Sequence, residues 1–335
     1  MRRLGVDSAL LDWGEIAGDE WNGLLLGNGF SINIWSEFNY PSLFSVAQRV
    51  GLRPHLVRET LALFEHLRSS NFEDVLRVLY HSHLVDHQLG SPQVEQIEGL
   101  YSNTKNSLSA AVNFAHVPPD FRGLNRLNAT LSEYRDIFTT NYDLIPYWAI
   151  MRDSRDFRDF FWGGDNSFDL SDVHVRSDKT VIYYLHGAVH LVEKPDGTTK
   201  KLVGAGFERL SDLFDLDHPE QIPLMISEGS SSSKYIRIRR NDYLRFCYEE
   251  LCCLEGNLVV LGHSLHRDYD QHIIDALKRS NIERIAVSVW PGMSEIDIIT
   301  FKARISRELP DKDLYFFDSE THPLADPDSN VDGDY

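Results

Sequence analysis

Short runs rich in β-branched, aliphatic and aromatic residues recur along the chain at 23–26, 136–140, 180–185, 258–261, 284–289 and 313–317. Several, such as Leu24-Leu25-Leu26 and Leu258-Val259-Val260-Leu261, are continuously apolar with no polar alternation. Parallel strands covered by helices on both faces carry this pattern, because neither side of the sheet meets water. The pattern predicts an α/β fold.

About a hundred residues with helical period separate the first two runs, too many for one ordinary crossover. They predict an inserted helical lobe over 45–133, which splits the sheet-bearing domain into 1–44 and 134–322. Leu56, Val57, Leu61, Phe64 and Leu67 share one helical face, and Phe72, Val75, Leu76, Leu79 and Tyr80 another. Asn71 with Asp74 resembles a reciprocal N-cap. A third helix carries Val94, Ile97, Tyr101, Leu108 and Val112 and stops before Pro118-Pro119, which lack the donor a helix needs. Further on come a turn at Pro195-Asp196-Gly197 and a serine-rich loop, Ser230 to Ser233, before a helix bearing the cysteines. Residues 323–335, with Asp326, Asp328, Asp332 and Asp334, read as an acidic disordered tail.

Composition adds little to the fold and more to the partners. The 335 residues are 42% hydrophobic and 25% charged, ordinary for one large or two modest globular domains. A net charge of -18 repels polyphosphate backbones, so non-specific nucleic-acid binding and anionic membrane surfaces are not expected. The N-terminal stretch reads neither as signal peptide nor as anchor, and no apolar run approaches transmembrane length. Cys247, Cys252 and Cys253 lie in one helical segment without C-x-x-C spacing, which suits buried thiols and a reducing cytoplasm better than zinc.

The chemistry gathers where the apolar runs end. Gly27-Asn28-Gly29-Phe30-Ser31 follows the first run, and its glycines let the backbone turn sharply with amide donors aimed at phosphate oxygens. The second run ends in Thr140, Asn141 and Asp143, the third in His186 and Gly187, the fourth in Gly262, His263 and Ser264. The next ends in Trp290, whose ring can pack against adenine or the core. In open α/β sheets the ligand crevice lies beyond the carboxyl ends of the strands, so this shared placement points to a binding site. Each group also has a structural alternative: an Asx-turn for Asn141 and Asp143, a core position for His186, a helix entry for Gly262.

In order along the chain, GNGFS, TTNYD, LHG and LGHSL resemble the glycine, T-x-N-x-D, His-Gly and G-[ST]-S-L motifs of the sirtuin-like superfamily. The resemblance spans roughly residues 21–290, and the segment containing NFEDVLRVL is similar to the insertion of prokaryotic sirtuin-like NAD hydrolases. It implies a Rossmann-like NAD site. Gly27, Gly29, Ser31, Gly262 and Ser264 would contact the pyrophosphate and its ribose, with Asn28, Phe30, Thr140, Gly187, His263 and Trp290 beside them. Asn141, Asp143 and His186 would surround the nicotinamide ribose. The chain departs from the lysine deacylases by lacking their four-cysteine zinc ribbon and by having SINIWSEFNY in place of their I-P-D-F-R-like segment. What the resemblance then implies is an NAD glycohydrolase of antiphage defence, cytoplasmic, switched on by a partner protein or phage component and compatible with a homo-oligomer.

Nicotinamide in NAD is already cationic and leaves without protonation, so the main task is to stabilise oxocarbenium character on the ribose, a task that needs no metal. Asn141 is expected to order the water or sugar through its amide, and a neutral His186 to accept from a ribose hydroxyl. Asp143 is expected either to orient the ligand or to cap the helix that follows. The rival functions are a non-catalytic NAD or ADP-ribose sensor and, further off, a protein deacylase or ADP-ribosyltransferase. Asp270 reads as a cap or a ligand contact. Lys234, Arg237, Arg239 and Arg240 read as a solvated basic cluster, and His81, His83 and His87 as a helix face without a metal.

Overall fold

Every apolar run named above is a strand of one parallel sheet. The computed structural model describes residues 7–39, 43–49, 54–115, 117, 121–161, 164–173, 178–194, 196–202, 222–226, 230–326 and 329–331. The strands are β1 Gly23–Leu26, β2 Asp136–Thr139, β3 Phe157–Arg158, β4 Thr180–Tyr184, β5 Gly187–Glu193, β6 Thr199–Lys201, β7 Ile222–Met225, β8 Glu255–Leu261, β9 Asn281–Val289 and β10 Asp313–Asp318. The helices are α1 Trp13–Ile16, α2 Asn28–Ile34, α3 Leu43–Ala47, α4 Arg58–Leu67, α5 Phe72–Leu89, α6 Val94–Ala115, α7 Leu124–Leu131, α8 Ile145–Arg152, α9 Ser231–Arg240, α10 Asp242–Cys252, α11 Arg267–Arg279 and α12 Glu295–Glu308.

The main sheet has seven parallel strands in the order β10-β9-β8-β1-β2-β4-β3. Leu24, Leu25 and Leu26 of β1 have no exposed surface, which is why a strand this short needs no polar alternation. The chain builds one wing outward from β1 through β2 to β4, then returns through α9 and α10 to lay β8 on the other side of β1. Leu26 is in register with Thr139 on one side and Leu261 on the other, so three carboxyl ends stand level at this reversal. The arrangement is Rossmann-like.

Helices α3 to α6 build a second buried cluster around Leu43, Phe64, Phe72, Leu76 and Leu108. Leu144 and Tyr147 from the start of α8, Val189 of β5 and Met225 of β7 complete that cluster, so the inserted helices pack directly on the elements next to the crevice. Asn71 takes the N-cap position of α5 without a side-chain cap bond, and Ser69 Oγ instead donates to Asp74 Oδ2 at 2.6 Å. Pro118, Pro119 and Pro195 lie outside the described residues.

Two features differ from the sequence reading. A small antiparallel sheet, β6-β5-β7, stands beside the main one. Its longest strand starts directly after β4, where Gly187 at φ 72° redirects the chain. The expected acidic tail is also packed where described: Leu324 and Val331 have no exposed surface, and Val331 N–H donates to Ile34 O at 2.9 Å. Its apolar residues are interleaved with the acids, and an ion pair between Arg126 and Asp326 compensates one of them. Asp328, Asp332 and Asp334 lie outside the described residues. Cys247 is buried within α10, whereas Cys253 is exposed just beyond its end. No described helix is long and apolar enough to cross a membrane.

Candidate functional site

The loops after β1 and β8 meet at the reversal of strand order, and glycine is what lets them meet. A Cβ on Gly27 would stand 2.6 Å from Gly262 O, and one on Gly262, at φ 69°, 2.2 Å from Phe30 N. The two loops are therefore in backbone contact, and the glycine motif is first of all a packing motif.

That contact uses the donors expected to hold phosphate. Gly27 N–H donates to Leu261 O at 2.9 Å, Gly29 N–H to Gly262 O at 2.8 Å, and Gly262 N–H to Ser288 Oγ at 2.9 Å. Among the described residues, the N–H groups of Asn28, His263 and Ser264 have no such acceptor, and these three residues line the crevice. The backbone donors left unspent at the crevice are thus shifted by one or two positions from the glycines themselves.

A cavity of about 360 Å³ opens at this point. It brings together Asn28, Gly29, Thr140, Asn141, Asp143, His186, Gly262, His263 and Ser264 from the sequence reading. Asn141 spends both amide hydrogens inside the protein, on Gly27 O at 3.0 Å and Ser31 Oγ at 2.8 Å. A carbonyl oxygen can only accept, so the amide orientation is fixed and its own oxygen is left as an acceptor at the cavity.

Ser31 is fully buried inside α2 rather than capping it, and it donates to Asp143 Oδ2 at 2.6 Å. Asp143 Oδ1 accepts the Ile145 N–H at 2.9 Å, so both carboxylate oxygens are engaged, one of them at the start of α8. Burial pushes this carboxyl up to about 6, against the two hydrogen bonds that favour its charged form. Asp143 is a support beneath Asn141.

His186 is buried, and its Nε2 lies 2.8 Å from Nε2 of His272, a residue that sequence reasoning passed over. The hydrogens can be placed from the His272 side. Ser231 Oγ accepts the His272 N–H at 2.9 Å and lies 2.8 Å from His272 Nδ1, to which it can donate. His186 then carries its proton on Nδ1 and receives one from His272 at Nε2. Burial, with Lys234 and neighbouring histidines, holds the His186 ring well below the ordinary imidazole range, and burial lowers His263 as well. In this arrangement Nε2, the accepting nitrogen of the His186 ring, is taken up by His272, so the expected acceptor for a ribose hydroxyl is covered.

Lys234 corrects another expectation. Only Arg239 and Arg240 of the supposed surface cluster are exposed, while Arg237 pairs with Asp74 of α5. Lys234 is buried at the cavity wall, 3.5 Å from Asp270 Oδ1. Asp270, read as a cap or a ligand contact, is itself the non-helical residue that interrupts α11 (φ -135°, ψ 21°), and it lines the same cavity. The sequence signal for Lys234 was available in its spacing, since Ser231, Lys234 and Ile238 lie on one face of α9 and all are buried.

A second cavity, of about 540 Å³ and more apolar, shares Gly29, Gly262, His263 and Ser264 with the first. Phe30 and Trp290 line it, with Trp290 60% exposed at its rim. Gly187 lines neither cavity: contrary to the sequence expectation, a Cβ there would stand 2.0 Å from Leu224 O, so its glycine serves the close pairing of β5 with β7.

Residues 24–324, from β1 to beyond β10, match the family described as a domain of unknown function, DUF4917. The chain belongs to that family. The match spans both wings of the parallel sheet and the inserted helices, so crevice and lobe are parts of one family unit. No curated protein matches this DUF4917 chain.

Proposed function

We propose that the protein binds NAD across the two joined cavities and hydrolyses the nicotinamide-ribose N-glycosidic bond, releasing nicotinamide and ADP-ribose. The observation that carries the reading is the fixed amide of Asn141, whose Nδ2 donates to Gly27 O and Ser31 Oγ and so leaves its oxygen as the free acceptor. An uncharged acceptor so placed can align a water or a ribose hydroxyl while oxocarbenium character develops, without repelling the pyrophosphate. The more apolar cavity beside it suits an adenine ring, with Trp290 at its rim. By the sirtuin-like resemblance, the biological setting is antiphage defence through NAD depletion, with a partner protein or phage component as activator.

One observation favours a second reading, an NAD or ADP-ribose sensor: the accepting ring nitrogen of His186 is engaged by His272. The two readings separate when the purified chain is incubated with NAD and the products are quantified by chromatography. Equimolar nicotinamide and ADP-ribose support the hydrolase. NAD bound but recovered intact, even with extracts of phage-exposed cells added, supports the sensor.

A further inference from the structure

Lys234 is the one lysine or arginine among the described residues lining the cavity, and Asp143 and Asp270 are its two carboxylates. Asp143 is spent on Ser31 and Ile145. Asp270 and Lys234 have each other, at 3.5 Å, with side chains 12% and 10% exposed. A largely buried pair in so loose a geometry contributes little to stability, because each charge has lost water and gained only a long contact. Its placement at the cavity wall, not its strength, is what distinguishes it.

We propose that Lys234 and Asp270 are two poles that receive a zwitterionic ligand: on binding, Lys234 turns to a phosphate oxygen and Asp270 faces the cationic pyridinium-ribose end of NAD. The proposal rests on the NAD reading and adds a selectivity to it. Oxidised NAD carries both charges, NADH has lost the pyridinium charge, and ADP-ribose keeps only the phosphates. The crevice therefore prefers oxidised NAD to NADH, and Asp270 is the residue that makes the distinction. In a chain of net charge -18, a local cation is also what allows a diphosphate to approach at all.

The test is calorimetric titration of the full chain with three probes that are not cleaved at the glycosidic bond: ADP-ribose, NADH and a carbocyclic analogue of oxidised NAD. Lys234→Met is expected to weaken ADP-ribose by about tenfold or more, the usual scale for a lost charge-assisted hydrogen bond. Asp270→Asn is expected to leave ADP-ribose as tight or tighter and to abolish the preference for the oxidised analogue over NADH. The double variant removes both buried charges at once and guards against misfolding of a single one; it should show weak ADP-ribose binding and no preference. Wild-type binding of ADP-ribose with affinities unchanged in all variants overturns the Lys234–Asp270 assignment alone. No binding of any probe by the wild type overturns the NAD reading and the assignment with it.

Discussion

Asn141 Nδ2 donates to Ser31 Oγ at 2.8 Å, although 110 positions separate the two residues. Ser31 passes the contact on to Asp143, so the motifs after β1 and β2 form one buried hydrogen-bonded unit beneath the cavity. Ser31→Ala removes one donor and one acceptor at a fully buried position while leaving Asn141 in place. It should cost about 1–3 kcal/mol in urea unfolding. NAD turnover should fall with it, because the Asn141 amide loses one of the two bonds that fix its direction.

The contact between the β1 and β8 loops makes a steric prediction. Gly262→Ala forces a Cβ into a left-handed backbone against Phe30 N and should destabilise the fold by at least about 2 kcal/mol. Gly18→Ala, where nothing stands within 4 Å, is the control and should leave the melting temperature unchanged.

The histidine pair makes a spectroscopic one. Two-bond proton–nitrogen spectra should show His186 protonated on Nδ1 and His272 on Nε2. Burial lowers the His272 ring to about 3 and His186 well below its ordinary range, so neither should titrate between pH 8 and pH 5. An imidazolium at either position at pH 6 contradicts the assignment.

His190 supplies a pH prediction outside the cavity lining. It is fully buried between Tyr147 and Tyr184, with no hydrogen-bond partner on either ring nitrogen among the described residues. Burial lowers it from 6.5 to about 3. A histidine depressed in the folded state contributes stability above pH 6.5 that is lost as pH falls toward its folded value. Relative to His190→Leu, the wild type should therefore lose about 2 kcal/mol of stability between pH 8 and pH 5, measured by denaturant unfolding at each pH.

The parallel sheet was legible because a strand buried on both faces must be apolar throughout, and Leu24 to Leu26 obey that rule without exception. The crevice was legible for the same topological reason: strand ends collect ligand groups, and nine of the residues read from the sequence line one cavity. What sequence hid was the use made of each group. Local pattern cannot show that Gly27 and Gly262 face one another, or that the expected phosphate donors of the glycines are spent between loops. His272 was missed and Lys234 misread because α9 and α11 are brought to the crevice by tertiary packing, far along the chain from the motifs beside them. The tail correction has a humbler cause: composition averaged over a segment conceals single buried residues such as Val331.

The central claim is that Asn141 acts on NAD in this crevice. Its most direct test compares product formation from NAD and ADP-ribose affinity in wild type and Asn141→Ala, with circular dichroism to confirm the fold. The account predicts that nicotinamide release falls by about a hundredfold or more, the scale of a lost transition-state contact, while ADP-ribose affinity stays within about fivefold. Turnover by Asn141→Ala at the wild-type rate would contradict it.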